Sequence, residues 1–203
     1  MSDIMAISRL RMGTDGTGIR TLIGFYGCPL QCKYCINREC HERDAVRADY
    51  TPEELIEVLS IDEPYFLMTN GGITFGGGEP LLQAAFIHEV CQKMNPKWGR
   101  VMETSLYASW DQIELLIPDI NTWIIDIKDL NRDIYESYTG KSNDLVLENL
   151  RKLVEKVPAE NILVRIPYIP GYNTREEFSK KMKWIWKEIH PHVKLDLFDY
   201  IEC

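Results

Sequence analysis

Short apolar runs alternate along this chain with stretches in which apolar residues recur every three or four positions. Residues 21–26 (TLIGFY), closed by Gly27, read as a first buried strand, and residues 73–75 as a second that enters the glycines at 76–78. Residues 100–103, 122–127 (TWIIDI, apolar except Asp126), 161–166 and 193–198 continue the series; Pro167 interrupts the fifth run and Pro170-Gly171 turns it. Helices are predicted between the strands. One starts at Thr51, with Pro52 at its first position, Glu54 closing a capping box, and Tyr50 and Leu55 stapled across the cap. Leu82, Phe86, Val90 and Met94 mark one apolar face of the next, where Cys91 is a core thiol and His88 a surface residue. Ser109 with Gln112 caps another, ended by Pro118, and Leu150, Leu153, Val154 and Val157 mark a further one. Thr174 with Glu177 caps the last, lined by Phe178, Met182, Ile185 and Ile189, with Trp184 off that face, read either as a partner contact or, more simply, as local packing. Residues 36–49 are polar, lack a period and read as a loop. Six β–α units in alternation imply an α/β fold with a parallel sheet and helices outside it. Periodicity alone leaves a partial barrel and a doubly wound sheet both open.

Composition narrows the class of partner. A chain of 203 residues with 45% hydrophobic and 27% charged content reads as one ordinary domain, 1–203, without linker or low-complexity tract. A net charge of −8 argues against binding nucleic acid through its phosphates. No apolar run is long enough to span a bilayer, and residues 1–19 lack the apolar stretch of a secretory signal. Six cysteines are too sparse for a disulfide framework, so a reducing, cytoplasmic setting is expected.

The chemistry concentrates in Cys28-Pro29-Leu30-Gln31-Cys32-Lys33-Tyr34-Cys35, a C-x3-C-x2-C run at the carboxyl end of the first predicted strand. Three thiolates at this spacing suit an iron–sulfur cubane and leave one iron open to a substrate or cofactor. The spacing also admits a zinc site or a four-cysteine cluster, for which Cys40 and His41 lie just downstream. On a barrel, Gly76-Gly77-Gly78-Glu79, Glu103-Thr104-Ser105, Asp126, Lys128 and Arg165 would share that rim, where ligands bind. Each alone reads more simply as a turn, a cap or a solvated strand end; their coincidence on one rim points to a site.

Residues 15–38 (DGTGIRTLIGFYGCPLQCKYCINR) and 71–83 (GGITFGGGEPLLQ) resemble the radical SAM superfamily, and within it the activating enzymes of glycyl radical enzymes, of the pyruvate formate-lyase activase type. The resemblance implies a partial, open (β/α)6 TIM-type barrel. It implies a [4Fe-4S] cluster on Cys28, Cys32 and Cys35, and S-adenosyl-L-methionine held at Gly77, Gly78 and Glu79 with Tyr34 beside the adenine. It matches Lys128 to a lysine at the ribose and carboxylate end of the cofactor, and Arg165 to an arginine of the corresponding strand. Glu103, Thr104 and Asp126 match residues around a monovalent cation, and Asp15 and Arg20 belong to a lead-in of structural character. No side chain is then catalytic in itself, since cluster and cofactor generate a 5′-deoxyadenosyl radical. That radical would install a glycyl radical on a partner enzyme, with electrons from a flavodoxin- or ferredoxin-type donor. The alternatives are a radical SAM enzyme acting on a small molecule or peptide, and a non-catalytic iron–sulfur or zinc module with Cys40 as fourth ligand.

Several positions depart from the family pattern. Ile36 stands where activases usually show His, Gly76 where Ser is frequent, Glu103 where Asp is found, and Asp199-Tyr200-Ile201 where a His occurs in a similar run. No ferredoxin-like cysteine block is present, so one cluster is expected, and the end at Cys203 reads as a compact member. Because a glycine-rich turn serves no purpose in a simple electron carrier, Cys40 is expected to be a free thiol in its loop.

Overall fold

The computed structural model describes residues 1–199; Tyr200 and Ile201, part of the departure noted above, lie outside the described residues. Its sheet has eight strands in the order β3-β1-β2-β4-β5-β6-β7-β8. The strands are β1 (Ser2–Met12), β2 (Ile19–Phe25), β3 (Ala48–Tyr50), β4 (Gly72–Gly77), β5 (Gly99–Thr104), β6 (Thr122–Asp126), β7 (Ile162–Tyr168) and β8 (Lys194–Asp199). Strands β2, β4, β5, β6, β7 and β8 pair in parallel, while β1 and β3 extend the sheet beyond β2 as antiparallel neighbours. The sheet is open, and the six parallel strands are those read from the apolar runs. Helices α1 (Pro52–Ser60), α2 (Glu63–Thr69), α3 (Ala84–Lys93), α4 (Trp110–Leu116), α5 (Arg132–Thr139), α6 (Asp144–Lys156) and α7 (Phe178–Glu188) lie in the crossovers. Among the described residues no helix is long and apolar enough to cross a membrane.

Strand alternation separates two faces. Ile23, Phe25, Ile73, Phe75, Met102, Trp123, Ile125, Val164 and Ile166 face the helices and form one continuous core with them. The register sets Leu22, Thr74, Gly76, Glu103, Asp126, Arg165 and Asp196 on the opposite, lumen face. The capping boxes at Thr51/Glu54, Ser109/Gln112 and Thr174/Glu177 form as predicted, and Cys91 is buried.

Other expectations need correction. Residues 36–49 hold two 3-10 turns, Arg38–His41 and Arg43–Ala45, followed by β3. Leu82 is 40% exposed, because residues 80–83 form a 3-10 turn whose tighter winding takes it off the face of α3. Trp184 packs partly buried on the core with the Arg151 guanidinium 5.8 Å from its ring. Pro167 stays within β7. Arg165, two residues earlier, gives its carbonyl to Ile127 N at 2.9 Å, and β6 ends there, so the missing N–H of Pro167 faces no ladder partner.

The turn between β1 and β2 closes the amino-terminal end of the barrel. Arg20, 2% exposed, donates to Thr74 Oγ1 (2.7 Å), Thr17 O (3.2 Å), Gly99 O (2.9 Å) and Ile73 O. Thr74 in turn donates to Asp15 O at 2.9 Å, and the Asp15 carboxylate pairs with Arg11. The structural character expected of Asp15 and Arg20 is thereby accounted for.

Candidate cofactor site

The cysteine loop begins where β2 ends and is fixed by a helix the apolar pattern did not reveal. Gln31 N donates to Thr139 O at 2.8 Å and Lys33 N to Tyr138 O at 3.1 Å, so the last turn of α5 holds the loop by its backbone. Leu30 anchors it in the interior, and Cys28, Cys32 and Cys35 remain half-buried free thiols at the carboxyl end of the barrel. Tyr34 meets Tyr138 and Tyr172 edge-on, with ring centroids 6.0 Å away in both cases.

The glycine turn is strapped to the same loop. Gly78 N donates to Phe25 O (2.9 Å) and Glu79 N to Gly27 O (2.8 Å). A Cβ on Gly78 would sit 2.2 Å from Gly27 O, and Gly77 holds a φ of +96°. Only glycine permits both the close approach and the left-handed backbone. Glu79 is 1% exposed and engages both oxygens: Oε1 accepts from Thr104 Oγ1 (2.5 Å) and Leu81 N (3.3 Å), Oε2 from Ser105 Oγ (2.6 Å) and Ser105 N (3.0 Å). Burial pushes its carboxyl above the ordinary range, and these donors oppose that. These contacts brace the turn against the end of β5.

The lumen carries the charged groups. Arg165 Nη1 meets Glu103 Oε1 at 2.8 Å, and its Nε faces Asp196 Oδ2 at 3.5 Å. Lys128 Nζ meets Asp126 Oδ2 at 3.2 Å. Burial works against the Lys128 ammonium, but Asp126 and the nearby Cys32 outweigh it and raise its pKa well above the usual value. Burial, with Asp126 adding to it, pushes Glu103 up to about 7. Thr104 does not join this group. Adjacent strand residues face opposite ways, and its hydroxyl is turned to Glu79, so of the three residues matched to a cation the structure brings together only Glu103 and Asp126.

Cys40 also lies elsewhere than an unattached loop would put it. It is 1% exposed and packs in a small cluster with Met5 and Ala45, against which Cys28 and Tyr26 lie. The Cys40 S–H lowers the Cys28 thiol against the effect of burial and brings Cys35 down to about 6. Cys32, without that contact, is pushed up by burial to about 11.

Sequence reasoning missed Ser105 as a partner of Glu79 and missed Tyr135 altogether. Tyr135 is fully buried beneath the loop, in the field of Lys128 and Cys32, and its hydroxyl has no partner among the described residues. Buried Asp126 Oδ1 likewise has none. The spacing of Tyr135 and Tyr138, three apart with Gly140 closing the segment, was the available signal of a short helix with an inward face.

This donor set fits a polar, cluster-bound cofactor. Three thiols on one braced loop are soft ligands for iron, and the exposed glycine backbone, the charged lumen and the two unpartnered buried oxygens suit a zwitterionic ligand beside them. Among the described residues no three His, Cys, Asp or Glu side chains are gathered closely enough to hold one metal ion.

The radical SAM superfamily profile matches residues 22–185. The isethionate sulfite-lyase activating enzyme of Oleidesulfovibrio alaskensis is 27% identical over 242 aligned positions, covering 89% of this chain and 78% of that protein. The 4-hydroxyphenylacetate decarboxylase activating enzyme of Clostridioides difficile is 29% identical, covering 80% and 71%. Among solved structures, a domain of a pyruvate-formate lyase-activating enzyme from Bacteroides vulgatus superimposes with a TM-score of 0.55 at 25% identity, covering 64% of this chain and 81% of that one. Streptococcus suis SuiB bound to S-adenosylmethionine shares the fold, with a TM-score of 0.68 at 14% identity over 88% of this chain and 39% of its own.

Proposed function

This chain belongs to the radical SAM superfamily, and from that premise we propose that it is an activating enzyme, one domain over residues 1–203, that removes a hydrogen atom from a glycine of a partner glycyl radical enzyme. Members of the superfamily use a [4Fe-4S] cluster and S-adenosylmethionine. Reduced and bound together, these supply a 5′-deoxyadenosyl radical, which is the hydrogen-abstracting species. The residues of the chain hold and orient. Cys28, Cys32 and Cys35 would ligate the cluster from a loop clamped by α5. Gly77 and Gly78 present bare backbone beside that loop, and Glu79 locks their turn onto the end of β5. Asp126, with one oxygen paired to Lys128 and the other without a partner among the described residues, offers an acceptor to the cofactor; Lys128 offers a cation to its carboxylate. Arg165 neutralises Glu103 in the lumen. Tyr34, within its tyrosine cluster, walls the mouth beside the loop.

The observation that carries this reading is the joining of the cysteine loop and the glycine turn into one hydrogen-bonded unit at the carboxyl end of an open barrel. The names borne by relatives aligned over most of both chains supply the class of substrate. The partner loop would enter at the open mouth, in the cytoplasm, with a flavodoxin- or ferredoxin-type protein as electron donor. The test is to incubate anaerobically reconstituted protein with a glycyl radical enzyme from the same cell and follow the partner by electron paramagnetic resonance. A glycine-centred radical that requires S-adenosylmethionine is expected. Cleavage of the cofactor with a peptide or small molecule altered instead would reassign the substrate.

A further inference from the structure

The turn that follows β5 holds a backbone conformation that its central residue resists. Leu106 sits at a φ of +60°, in the left-handed region that a bulky side chain rarely adopts, and that side chain is fully buried. Strain of this kind persists only where the surroundings fix it, and it gathers at functional sites. Here the fixing group comes from another element. Asn149, on the inner face of α6 and 1% exposed, donates through Nδ2 to Leu106 O and to Ala108 O, both at 2.9 Å. Ala108 N closes the turn onto Leu106 O at 3.0 Å.

The same turn sets the direction of two hydroxyls. Leu106 N donates to Thr104 Oγ1 at 2.9 Å and Tyr107 N to Ser105 Oγ at 3.3 Å. A hydroxyl that accepts from a backbone N–H keeps its own proton for a further acceptor. For both residues that acceptor is Glu79: Thr104 Oγ1 donates to Oε1 and Ser105 Oγ to Oε2. Asn149 thus heads a buried chain of hydrogen bonds that runs through the turn and the two hydroxyls to Glu79. The chain continues from Glu79 N to Gly27 O, beside Gly77 and Gly78. Away from water each link depends strongly on its neighbours. We infer that Asn149 is a positioning residue for the cofactor: it holds the 104–108 turn in its strained form, so that Thr104 and Ser105 lock the glycine turn in the shape that receives S-adenosylmethionine. The inference rests on the reading of Gly77, Gly78 and Glu79 as the cofactor-binding turn.

The test uses the full chain as parent, Asn149→Ala and Asn149→Leu. Leu153→Ala, at a fully buried position one turn on in α6, is the control for a general loss of packing. Hydrogen exchange of the Gly78, Glu79 and Ser105 amides is read first, on the cofactor-free proteins and relative to the amides of β6. Both Asn149 variants should exchange these amides about tenfold faster than the parent, as two buried hydrogen bonds are lost, and Leu153→Ala should not. S-adenosylmethionine binding is then measured on the anaerobically reconstituted proteins. Affinity should fall about tenfold in both Asn149 variants, because the competent turn is populated less, and stay at the parent level in Leu153→Ala. The rate of 5′-deoxyadenosine formation at saturating cofactor should remain near that of the parent, so that the loss lies in KM and not in kcat. Asn149→Leu keeps the volume of the side chain and carries the test if Asn149→Ala loosens the fold. Either parent-like exchange or parent-like affinity in the folded Asn149 variants would overturn the inference while the cofactor reading stands. An equal loss of affinity in Leu153→Ala would overturn it too, by making Asn149 one packing residue among many. A parent that carries its full cluster and binds no S-adenosylmethionine would bring down the cofactor reading and the inference with it.

Discussion

The floor and the rim of the barrel hold their central buried polar groups in opposite ways. At the amino-terminal end Arg20 is as buried as any core residue, and its guanidinium reaches four oxygens of the surrounding turns and strands. At the carboxyl end Asp126 Oδ1 and the Tyr135 hydroxyl are buried without a partner among the described residues, beside the half-buried thiols of Cys28, Cys32 and Cys35. Native interiors satisfy nearly all such groups, and exceptions call for a reason. Trp98 Nε1, Arg100 Nε and Trp123 Nε1 near the strand starts are also buried without a partner among the described residues, so the contrast is one of groups on the barrel axis: the floor is closed by Arg20, while the rim leaves two acceptor oxygens open to what it binds. The charges follow the same division, since burial leaves Arg20, at about 10, still cationic at neutral pH, whereas it holds Glu103 near 7, between its two states.

The sharpest way to break this contrast is at the floor. Arg20→Ala should lower the unfolding free energy of the cofactor-free protein by about 3–5 kcal/mol, because it empties a buried site and strands several acceptors. A loss no larger than that of an exposed substitution, in denaturant unfolding, would remove the distinction between the two ends.

The lumen should announce itself through pH. The folded-state value of Glu103, about 7, lies above its ordinary 4.5. Its contribution to stability is therefore complete below about pH 4.5 and is lost as the pH rises through 7, a change of at most about 3 kcal/mol. Glu103→Gln should abolish that part of the slope between pH 5 and 8. An unchanged slope would mean that Glu103 is solvated as an ordinary carboxylate.

Glu79→Gln tests the joint between turn and strand. It sets an amide NH2 against donors that now meet a carboxylate, at a cost of about 2 kcal/mol. S-adenosylmethionine binding should weaken with it, because the turn loses its brace, and stability and binding measured on one preparation should fall together. Tyr135→Phe should do the reverse. The hydroxyl it removes has no partner among the described residues, so apo stability should hold or rise by up to about 1 kcal/mol, while cofactor affinity in the reconstituted protein falls. A clear loss of apo stability would show that Tyr135 belongs with the groups the protein itself satisfies.

How much of this was legible in the sequence depended on where each signal lay. The parallel strands were visible because both their ends are marked by glycine, proline or charge and their interiors are apolar; the three capping boxes were visible because a cap is a local contract between two residues. Strand β1 was missed because Asp3, Arg9 and Arg11 interrupt its apolar residues, and Leu10 takes a positive φ of 55° where the register with β2 shifts. Helix α5 was missed because its inward residues are tyrosines on a short polar segment rather than aliphatics at regular spacing. That omission mattered most for the site, since α5 fixes the cysteine loop and brings Tyr135 beneath it. The cysteine run and the glycine turn could be read singly. Their union through Gly27, Gly78 and Glu79, like the contact of Cys40 with Cys28, is long-range geometry that no spacing encodes.

The claim at the centre is that the rim is completed by a reducible cluster and S-adenosylmethionine. The direct measurement is 5′-deoxyadenosine formation by anaerobically reconstituted, chemically reduced protein supplied with S-adenosylmethionine, beside a Cys32→Ala control. The account predicts product from the native protein and none from the control. Native protein carrying its full complement of iron and sulfide that nonetheless forms no 5′-deoxyadenosine would contradict it.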